Sequence, residues 1–196
     1  PPTGAIGDVN NDGLEDIYFT SNQQSNKLYL NKGGFTFEDV TVAANVSDAE
    51  GWTTGTTMID INNDGWMDLI ITNDIEDANY LYINQSGTSF VEDAATYGLD
   101  NMIDDMAIAI NDFDNDGNFD FFITGIDENA LLENDGSNNF SETSSTYGLN
   151  ATGWSWGIRF SDFDLDGDED LFVVNGYDFE GRGPENNVYY RNLHSQ

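Results

Sequence analysis

Asp112-Phe113-Asp114-Asn115-Asp116-Gly117-Asn118-Phe119-Asp120 is the stretch of this chain that decides its fold. Carboxylates stand at positions 1, 3, 5 and 9 of the nonapeptide, and glycine stands at position 6. The pattern recurs at residues 8–16, 60–68 and 162–170, with Asn at position 3 in the first two copies. We number the four copies loops 1 to 4 in chain order. Their first residues are 52, 52 and 50 positions apart, so the chain is a repeat array with one loop in each repeat.

Short apolar segments flank every loop. In the third repeat, Ala107-Ile108-Ala109-Ile110 precedes the loop and Phe121-Phe122-Ile123-Thr124 follows it. Such β-branched and aromatic runs predict strands that are buried on both faces. A third segment, bracketed by Asn, follows in every repeat. A shorter and more polar fourth segment, which starts with Phe, follows in the first three repeats and is missing from the last.

Four short antiparallel strands in a repeat of about 50 residues are typical of a β-propeller blade. We therefore predict an all-β fold, a β-propeller built from four-stranded antiparallel blades. The blades should cover residues 1–51, 52–103, 104–153 and 154–196 of a single domain or segment, 1–196. Four blades that close on themselves are one arrangement. Because the last blade lacks its outer strand, we favour membership of a larger propeller of about seven or eight blades.

The composition is strongly acidic. The chain has 37 Asp and Glu but only 5 Lys and Arg, which gives a formal net charge of −32 at pH 7. Its 38% hydrophobic content still predicts a folded core. Such a surface repels phosphates, so we exclude nucleic acid as a partner, and no apolar run is long enough for membrane insertion. The absence of Cys excludes disulfides and thiolate sites.

The oxygen-rich loops favour calcium, which takes about six to eight oxygen ligands in irregular geometry. Alternate carboxylates in a tight loop converge on one point, and glycine at position 6 permits a positive φ. Zn²⁺ prefers His and Cys, and Mg²⁺ demands stricter geometry. We predict about four Ca²⁺ ions, one per repeat, held by the side chains at positions 1, 3, 5 and 9 and the carbonyl at position 7: Asp8, Asn10, Asp12, Leu14, Asp16; Asp60, Asn62, Asp64, Trp66, Asp68; Asp112, Asp114, Asp116, Asn118, Asp120; Asp162, Asp164, Asp166, Asp168 and Asp170.

An EF-hand is the strongest alternative for such a loop. It shares the first ligands and the glycine, but it needs a bidentate Glu at position 12 and helices on both sides. Here every residue at position 12 is apolar and lies within a predicted strand: Phe19, Ile71, Ile123 and Val173. The sequence therefore excludes EF-hands.

The repeats resemble the FG-GAP/VCBS family, the calcium-loop propeller repeats of integrin α-subunits and of many bacterial surface proteins. The four loops carry the resemblance, together with Leu28-Tyr29-Leu30-Asn31, Leu81-Tyr82-Ile83-Asn84, Phe37-Glu38-Asp39-Val40-Thr41 and Tyr97-Gly98-Leu99. It covers essentially the whole chain. It implies that each calcium loop joins the first two strands of a blade at one rim, in a secreted or cell-surface protein. The family's functions range from adhesion to glycan binding.

The rim opposite the loops is a second candidate surface. Exposed Trp and Tyr stack on sugars or anchor protein partners, although they also pack as core between blades. The residues predicted for this rim are Trp52, Asp104, Trp154, Trp156 and Tyr177.

The sequence offers no support for catalysis, because His194 is the only histidine and lies at the C-terminal end. We predict a non-catalytic calcium-binding module for adhesion, assembly or protein binding, with a protein or glycan ligand. Neighbouring blades or chains are further expected partners at the terminal repeats. The alternative is a glycan-binding or polysaccharide-lyase-associated propeller that uses the Trp-bearing rim.

Overall fold

A computed structural model describes residues 3–22, 24–47, 51–75, 77–100, 104–178 and 183–193. His194 therefore falls outside the described residues, as does the side chain of Tyr177. The chain divides into two compact units, Pro1–Met102 and Ile103–Gln196. Among the described residues, no helix is long and apolar enough to cross a membrane.

Unit 1 holds two four-stranded antiparallel sheets. In each sheet the strands lie in chain order, so every strand pairs with its neighbours in sequence. A single helical turn, α1, follows the second sheet and ends at Gly98, whose φ is 75°. The strands are β1 (Gly4–Gly7), β2 (Asp16–Phe19), β3 (Lys27–Asn31) and β4 (Phe37–Asp39), then β5 (Trp52–Ile59), β6 (Asp68–Asp74), β7 (Tyr80–Asn84) and β8 (Phe90–Glu92), with α1 at Ala94–Tyr97.

Unit 2 repeats this plan with one strand fewer. Its first sheet has four strands, and its second has three among the residues that the structure describes. The elements are β9 (Asp105–Asn111), β10 (Asp120–Gly125), β11 (Asn129–Asn134), β12 (Phe140–Glu142) and α2 (Ser144–Tyr147), then β13 (Ser155–Ser161), β14 (Asp170–Asn175), β15 (Tyr177–Asp178), β16 (Gly183–Pro184) and β17 (Val188–Tyr190). β17 pairs with β14, and within the described ranges β15 pairs only with β16.

The predicted fold class is confirmed, because each of the three four-stranded sheets has the strand order of a propeller blade. Two of the second strands are buried on both faces, as predicted: β10 at all six positions and β6 at six of seven. The prediction is wrong for β2 and β14, where Phe19 and Val174 are exposed. The structure adds three features that the sequence patterns did not indicate. β5 begins at Trp52, four residues before Thr56, where the apolar segment that predicts this strand begins. The long connection from β14 to β17 contains the β15–β16 hairpin, and the Tyr-Gly-Leu segments end single helical turns.

One register recurs in all three complete sheets. The Phe that starts each fourth strand lies opposite the Asn that ends the third strand. The pairs are Asn31 with Phe37, Asn84 with Phe90, and Asn134 with Phe140. Each nonapeptide lies between the first and second strands of its sheet, as predicted, so the sheets hold all four loops in equivalent positions.

Candidate metal centre

The loops turn through two residues in the left-handed region. Glycine at position 6 has φ between 86° and 100° in all four loops, which confirms the role predicted for it. Position 4 is also left-handed: Asn11, Asn63 and Asn115 have φ of 54° to 61°. Asn tolerates this conformation better than most residues do. Loop 4 has Leu165 there at φ 63°, which is a strained choice that the pattern search missed.

The carboxylate at position 1 closes each loop by accepting backbone N–H groups. In loop 2, Asp60 Oδ1 accepts from the N–H of Asp64 at 3.0 Å and Oδ2 from that of Gly65 at 2.8 Å. Loops 1 and 4 repeat both bonds. Loop 3 keeps the bond from Gly117 to Asp112 Oδ2, while Asp112 Oδ1 is buried and has no hydrogen-bond partner.

The carboxylate at position 9 is buried in every loop, with at most 2% of its surface exposed. Asp68 Oδ2 accepts the N–H of Ile61 at 3.1 Å, and its Oδ1 accepts that of Asn84 at 2.8 Å. Asp120 accepts the equivalent pair from Phe113 and Asn134. Burial nevertheless raises the pKa of Asp68 and of Asp120 to about 6, because desolvation outweighs these bonds. Loops 2 and 3 therefore each contain a buried carboxylate whose desolvation is not fully offset by its hydrogen bonds.

Three carboxylates converge in loop 3 and again in loop 4. Oxygens of Asp112, Asp114 and Asp116 lie within 4.8 Å of one another, and those of the three equivalent residues in loop 4 do the same. Three like charges at this spacing repel strongly unless a cation lies between them. An all-oxygen donor set with an unpartnered oxygen on Asp112 fits Ca²⁺ better than it fits a nitrogen- or sulfur-seeking metal.

Loops 1 and 2 have a different internal hydrogen-bond pattern because position 3 is Asn. In loop 1, Asn10 Nδ2 donates to Asp12 Oδ2 at 3.2 Å, and Asn10 Oδ1 accepts the N–H of Asp12 at 3.0 Å. Asn62 makes the same two contacts in loop 2. The side-chain amide of Asn thus has one oxygen where Asp has two. Its Nδ2 also occupies one carboxylate oxygen of the Asp at position 5 by a hydrogen bond. These loops present fewer charges to an ion than loops 3 and 4.

Two parts of the predicted ligand set lie outside the two carboxylate clusters. At position 7 the backbone N–H donates to the position-5 carboxylate, as from Leu14 to Asp12 at 2.9 Å and from Trp66 to Asp64 at 2.9 Å. Asn118 and Asp168 do likewise. The ligand roles of these carbonyls and of the position-9 carboxylates stay predictions.

Loop 4 has a basic neighbour that sequence reasoning missed. Arg191 Nη2 lies 3.1 Å from Asp166 Oδ2, and Arg191 Nε pairs with Asp164. The N–H of Asp168 lowers the pKa of Asp166 most, and Arg191 lowers it further. Leu30, Ile83 and Glu133 occupy the equivalent strand position in the other repeats. A lone arginine there was the available signal.

Side-chain amides connect successive loops within each unit. Asn84 Nδ2 donates to the carbonyl of Val9 in loop 1 at 2.8 Å, and Asn192 Nδ2 donates to that of Phe113 in loop 3 at 3.1 Å. In addition, Asn11 Nδ2 donates to the Gly65 carbonyl at 2.9 Å. Loops 1 and 3 are therefore each held in part by the next blade of the same unit.

The structure also locates the predicted aromatic rim. Trp154 and Trp156 stack with ring centroids 5.2 Å apart and an interplanar angle of 28°, and 48% of Trp156 is exposed. Trp52 begins β5 in unit 1 and is also exposed. Asp104 is half-buried just before β9, and Tyr177 is placed only by its backbone in β15. Trp154 and Trp156 are thus the two rim residues brought into contact.

Comparison with known proteins gives a consistent family. A model of the FG-GAP-like repeat matches three times, at residues 8–71, 60–123 and 112–173. Cartilage acidic protein 1 of Xenopus tropicalis is 28% identical over 123 residues, and the human protein is 26% identical over the same length. The match covers 62% of this chain and 19% of each relative. The matched stretch is therefore about a fifth of the length of these curated relatives.

A solved structure shares the fold. It is an Agrocybe aegerita lectin with specific recognition of non-reducing terminal N-acetylglucosamine. The TM-score is 0.56 at 19% sequence identity, over 88% of this chain and 46% of the lectin. At this identity the likeness concerns the arrangement of strands alone.

Proposed function

The chain belongs to the FG-GAP-like repeat family, and from that premise we propose that it is a calcium-binding, non-catalytic structural module. The observation that carries the proposal is the convergence of Asp112, Asp114 and Asp116, where Asp112 Oδ1 is buried without a hydrogen-bond partner. A bound calcium ion would supply the positive charge that these oxygens lack. Because the ligands converge only in the folded loops, binding free energy would become folding free energy.

In this proposal the module binds other proteins outside the cell, in adhesion or assembly. A formal charge of −32 favours an environment rich in calcium, since each bound ion offsets two negative charges of the protein. The calcium loops then serve as clamps of the fold, and the ligand contacts other parts of the blades.

Thermal unfolding tests the calcium proposal directly. We expect the midpoint to fall by several degrees when excess EGTA replaces calcium, because a ligand at about 100 times its Kd stabilises by about 2.7 kcal/mol per site. Magnesium at equal concentration should restore little of the loss. Asp112→Ala should remove one calcium ion from the stoichiometry measured by calorimetry, because position 1 is Asp in all four loops, whereas the exposed Asp100→Asn should leave it unchanged. An identical midpoint in calcium and in EGTA would refute the proposal.

A second candidate function rests on the Trp154–Trp156 stack. Flat, partly exposed indole pairs offer a platform for sugar rings, and the lectin that shares this fold recognises terminal N-acetylglucosamine. We expect Trp156→Ala to abolish any glycan signal on an array that includes this sugar. Phe35→Ala, which changes an aromatic residue that is 96% exposed on another loop, is the matched control. An array without signal for the unmodified protein would remove this candidate.

A further inference from the structure

Within each unit, the first loop donates a side-chain hydrogen bond to the second. Asn11, at position 4 of loop 1, donates from Nδ2 to the carbonyl of Gly65 in loop 2 at 2.9 Å. Asn115, at the same position of loop 3, donates from Nδ2 to Asp168 Oδ1 in loop 4 at 3.0 Å. The acceptors are neighbouring positions of the second loop, 6 and 7. The left-handed residue of the first loop thus contacts the second loop in both units.

A second connection in unit 1 runs in the opposite direction, from the blade of loop 2 to loop 1. The N–H of Asn84 donates to the buried Asp68 in loop 2 at 2.8 Å, and its Nδ2 donates to the carbonyl of Val9 in loop 1 at 2.8 Å. The N–H of Val9 donates to the buried Asp16 Oδ2 at 3.0 Å. Asn84 and Val9 therefore link the position-9 carboxylates of the two loops.

Unit 2 contains the same link. The N–H of Asn192 donates to Asp170 Oδ1 in loop 4 at 2.9 Å, and its Nδ2 donates to the carbonyl of Phe113 in loop 3 at 3.1 Å. The N–H of Phe113 donates to Asp120 Oδ2 at 2.8 Å. Position 2 differs between the units, but the bonds are the same because they use backbone groups and an asparagine. The connection is thus a property of the repeat.

These bonds join groups that a bound ion would order. Asn11 fixes the carbonyl of Gly65, while the N–H of Gly65 donates to Asp60 Oδ2, a predicted ligand of loop 2, at 2.8 Å. An ion that orders loop 1 therefore also restrains the backbone next to a ligand of loop 2. Ordering a segment costs conformational entropy, and a second ligand that finds the segment already ordered binds more tightly.

We propose that calcium binding is positively cooperative within each unit, so that an ion in one loop raises the affinity of the other loop of the same unit. The inference rests on the proposed function, because it concerns the regulation of the same loops. The effect is reciprocal by thermodynamic linkage, and couplings between sites are typically about 5- to 150-fold. The four ions would then bind as two cooperative pairs.

Loop 2 has its own spectroscopic probe. Trp66 at its position 7 is the only tryptophan in any of the four loops. Terbium occupies oxygen sites that suit calcium and emits when it is excited through a nearby indole. Luminescence of the whole 196-residue protein excited through tryptophan should therefore follow loop 2. Trp66→Phe, which keeps the position-7 carbonyl, should abolish this signal, and excess calcium should displace the terbium.

Asn11→Gly tests the connection without a change to any predicted ligand. Glycine adopts the φ of 54° at this position without strain, so the substitution removes chiefly the donor to Gly65. We expect the terbium affinity of loop 2 to fall several-fold. Asn115→Gly is the matched control, because it makes the same change at φ 61° in unit 2 and should leave the affinity of loop 2 unchanged.

Removal of the ion from loop 1 should have a larger effect. Asp8→Ala removes the position-1 carboxylate of loop 1, and Asp112→Ala removes that of loop 3. The loss of terbium affinity at loop 2 should be about fivefold or more greater in Asp8→Ala than in Asp112→Ala. In the Asn11→Gly background the effect of Asp8→Ala should shrink, because one of the two connections is already absent. If Asp8→Ala does not fold, the comparison of Asn11→Gly with Asn115→Gly decides.

The outcomes for cooperativity and for calcium binding are distinguishable. Equal losses from Asp8→Ala and Asp112→Ala would overturn the cooperativity and leave calcium binding in place. A higher affinity of loop 2 in Asp8→Ala would also overturn it, because the coupling would then be negative. If calcium fails to displace terbium and EGTA leaves the melting midpoint unchanged, the calcium proposal is refuted, and this inference is refuted with it.

Discussion

Loops 3 and 4 have the same four aspartates at the same positions, yet they balance the charge of these residues in different ways. In loop 4, Arg191 forms ion pairs with Asp164 and Asp166. In loop 3, no basic side chain from the described part of the chain pairs with the three converging carboxylates, and Asp112 Oδ1 is buried without a partner. One motif therefore exists in two electrostatic states.

The difference shows what a metal would do in each place. Loop 4 has a cation of its own, so a calcium ion would have to compete with Arg191 for the same oxygens. Loop 3 has no such cation among the described residues, so its folding should depend more on calcium. Motif matching treats the two loops as equal. The side chain that distinguishes them lies 21 residues after the last residue of loop 4.

The largest effect is expected from Asp120→Asn in loop 3. Asp120 accepts two backbone N–H groups in a buried site, and an amide can satisfy only one of them with its oxygen. In calcium we expect a loss of about 3 kcal/mol in the free energy of unfolding, measured by denaturant titration. In the metal-free protein the loss should be much smaller, because the substitution also removes a buried charge. Equal losses in the two conditions would show that calcium does not involve this carboxylate.

The next largest effect is the pH dependence of the metal-free protein. The pKa of Asp68 and of Asp120 is raised by burial from the ordinary value of 3.8 to about 6. The folded state therefore binds protons that the unfolded state releases. Their stabilisation is fully present below pH 3.8 and is lost as the pH rises through about 6. Each carboxylate contributes on the order of 2–3 kcal/mol.

Urea unfolding between pH 4.5 and 7 measures how much the two carboxylates contribute to the free energy of unfolding. The metal is removed beforehand by dialysis against a chelator. Stability should fall as the pH rises in the metal-free protein. With calcium the trend should reverse, because the ion binds the ionised carboxylates and competes with protons. A rise with pH in both samples would contradict the assignment of these two residues as the buried acids that titrate.

A smaller effect is expected from exchanging the residues at position 4. Leu165→Asn places a residue that tolerates the left-handed region at φ 63° and should stabilise loop 4 by about 1 kcal/mol. The reciprocal change Asn115→Leu should destabilise loop 3 by more than this. It introduces the strain and also removes the bond from Asn115 Nδ2 to Asp168 Oδ1 at 3.0 Å. Melting temperatures of the two variants would decide; changes of the same sign would show that backbone strain is not what distinguishes them.

The smallest change in stability is expected from Arg191→Gln, because the guanidinium is partly exposed and such pairs contribute little. Its effect should appear in metal binding instead. Removal of the competing cation should raise the calcium affinity of loop 4 several-fold, as followed by terbium luminescence. Lys27→Gln, which breaks an exposed ion pair with Asp39 outside the loops, should leave the affinity unchanged. An unchanged affinity in Arg191→Gln would remove the distinction between loops 3 and 4.

The sequence predicts those parts of the fold that depend on local chemistry. Glycine at position 6 and the spacing of the aspartates determine the loop backbone, and the apolar runs on either side determine strands that must be buried. Features that depend on distant residues were missed. Arg191 meets Asp166 only because β17 pairs with β14. The left-handed backbone at position 4 was missed for two reasons. Asn is common in ordinary turns, and Leu165 is a residue type that rarely adopts this conformation.

The bond from Asn84 to the Val9 carbonyl, and its counterpart from Asn192 to Phe113, gives the array a direction. Loops 1 and 3 are each completed by the asparagine of the sheet that follows in the same unit. The segment that could be exchanged as one unit therefore has different boundaries from a blade. It begins at one nonapeptide and ends at the asparagine of the following sheet. An engineer who adds or removes repeats should cut within that frame. A cut at the sheet boundary would keep every strand and still leave the preceding loop without its donor.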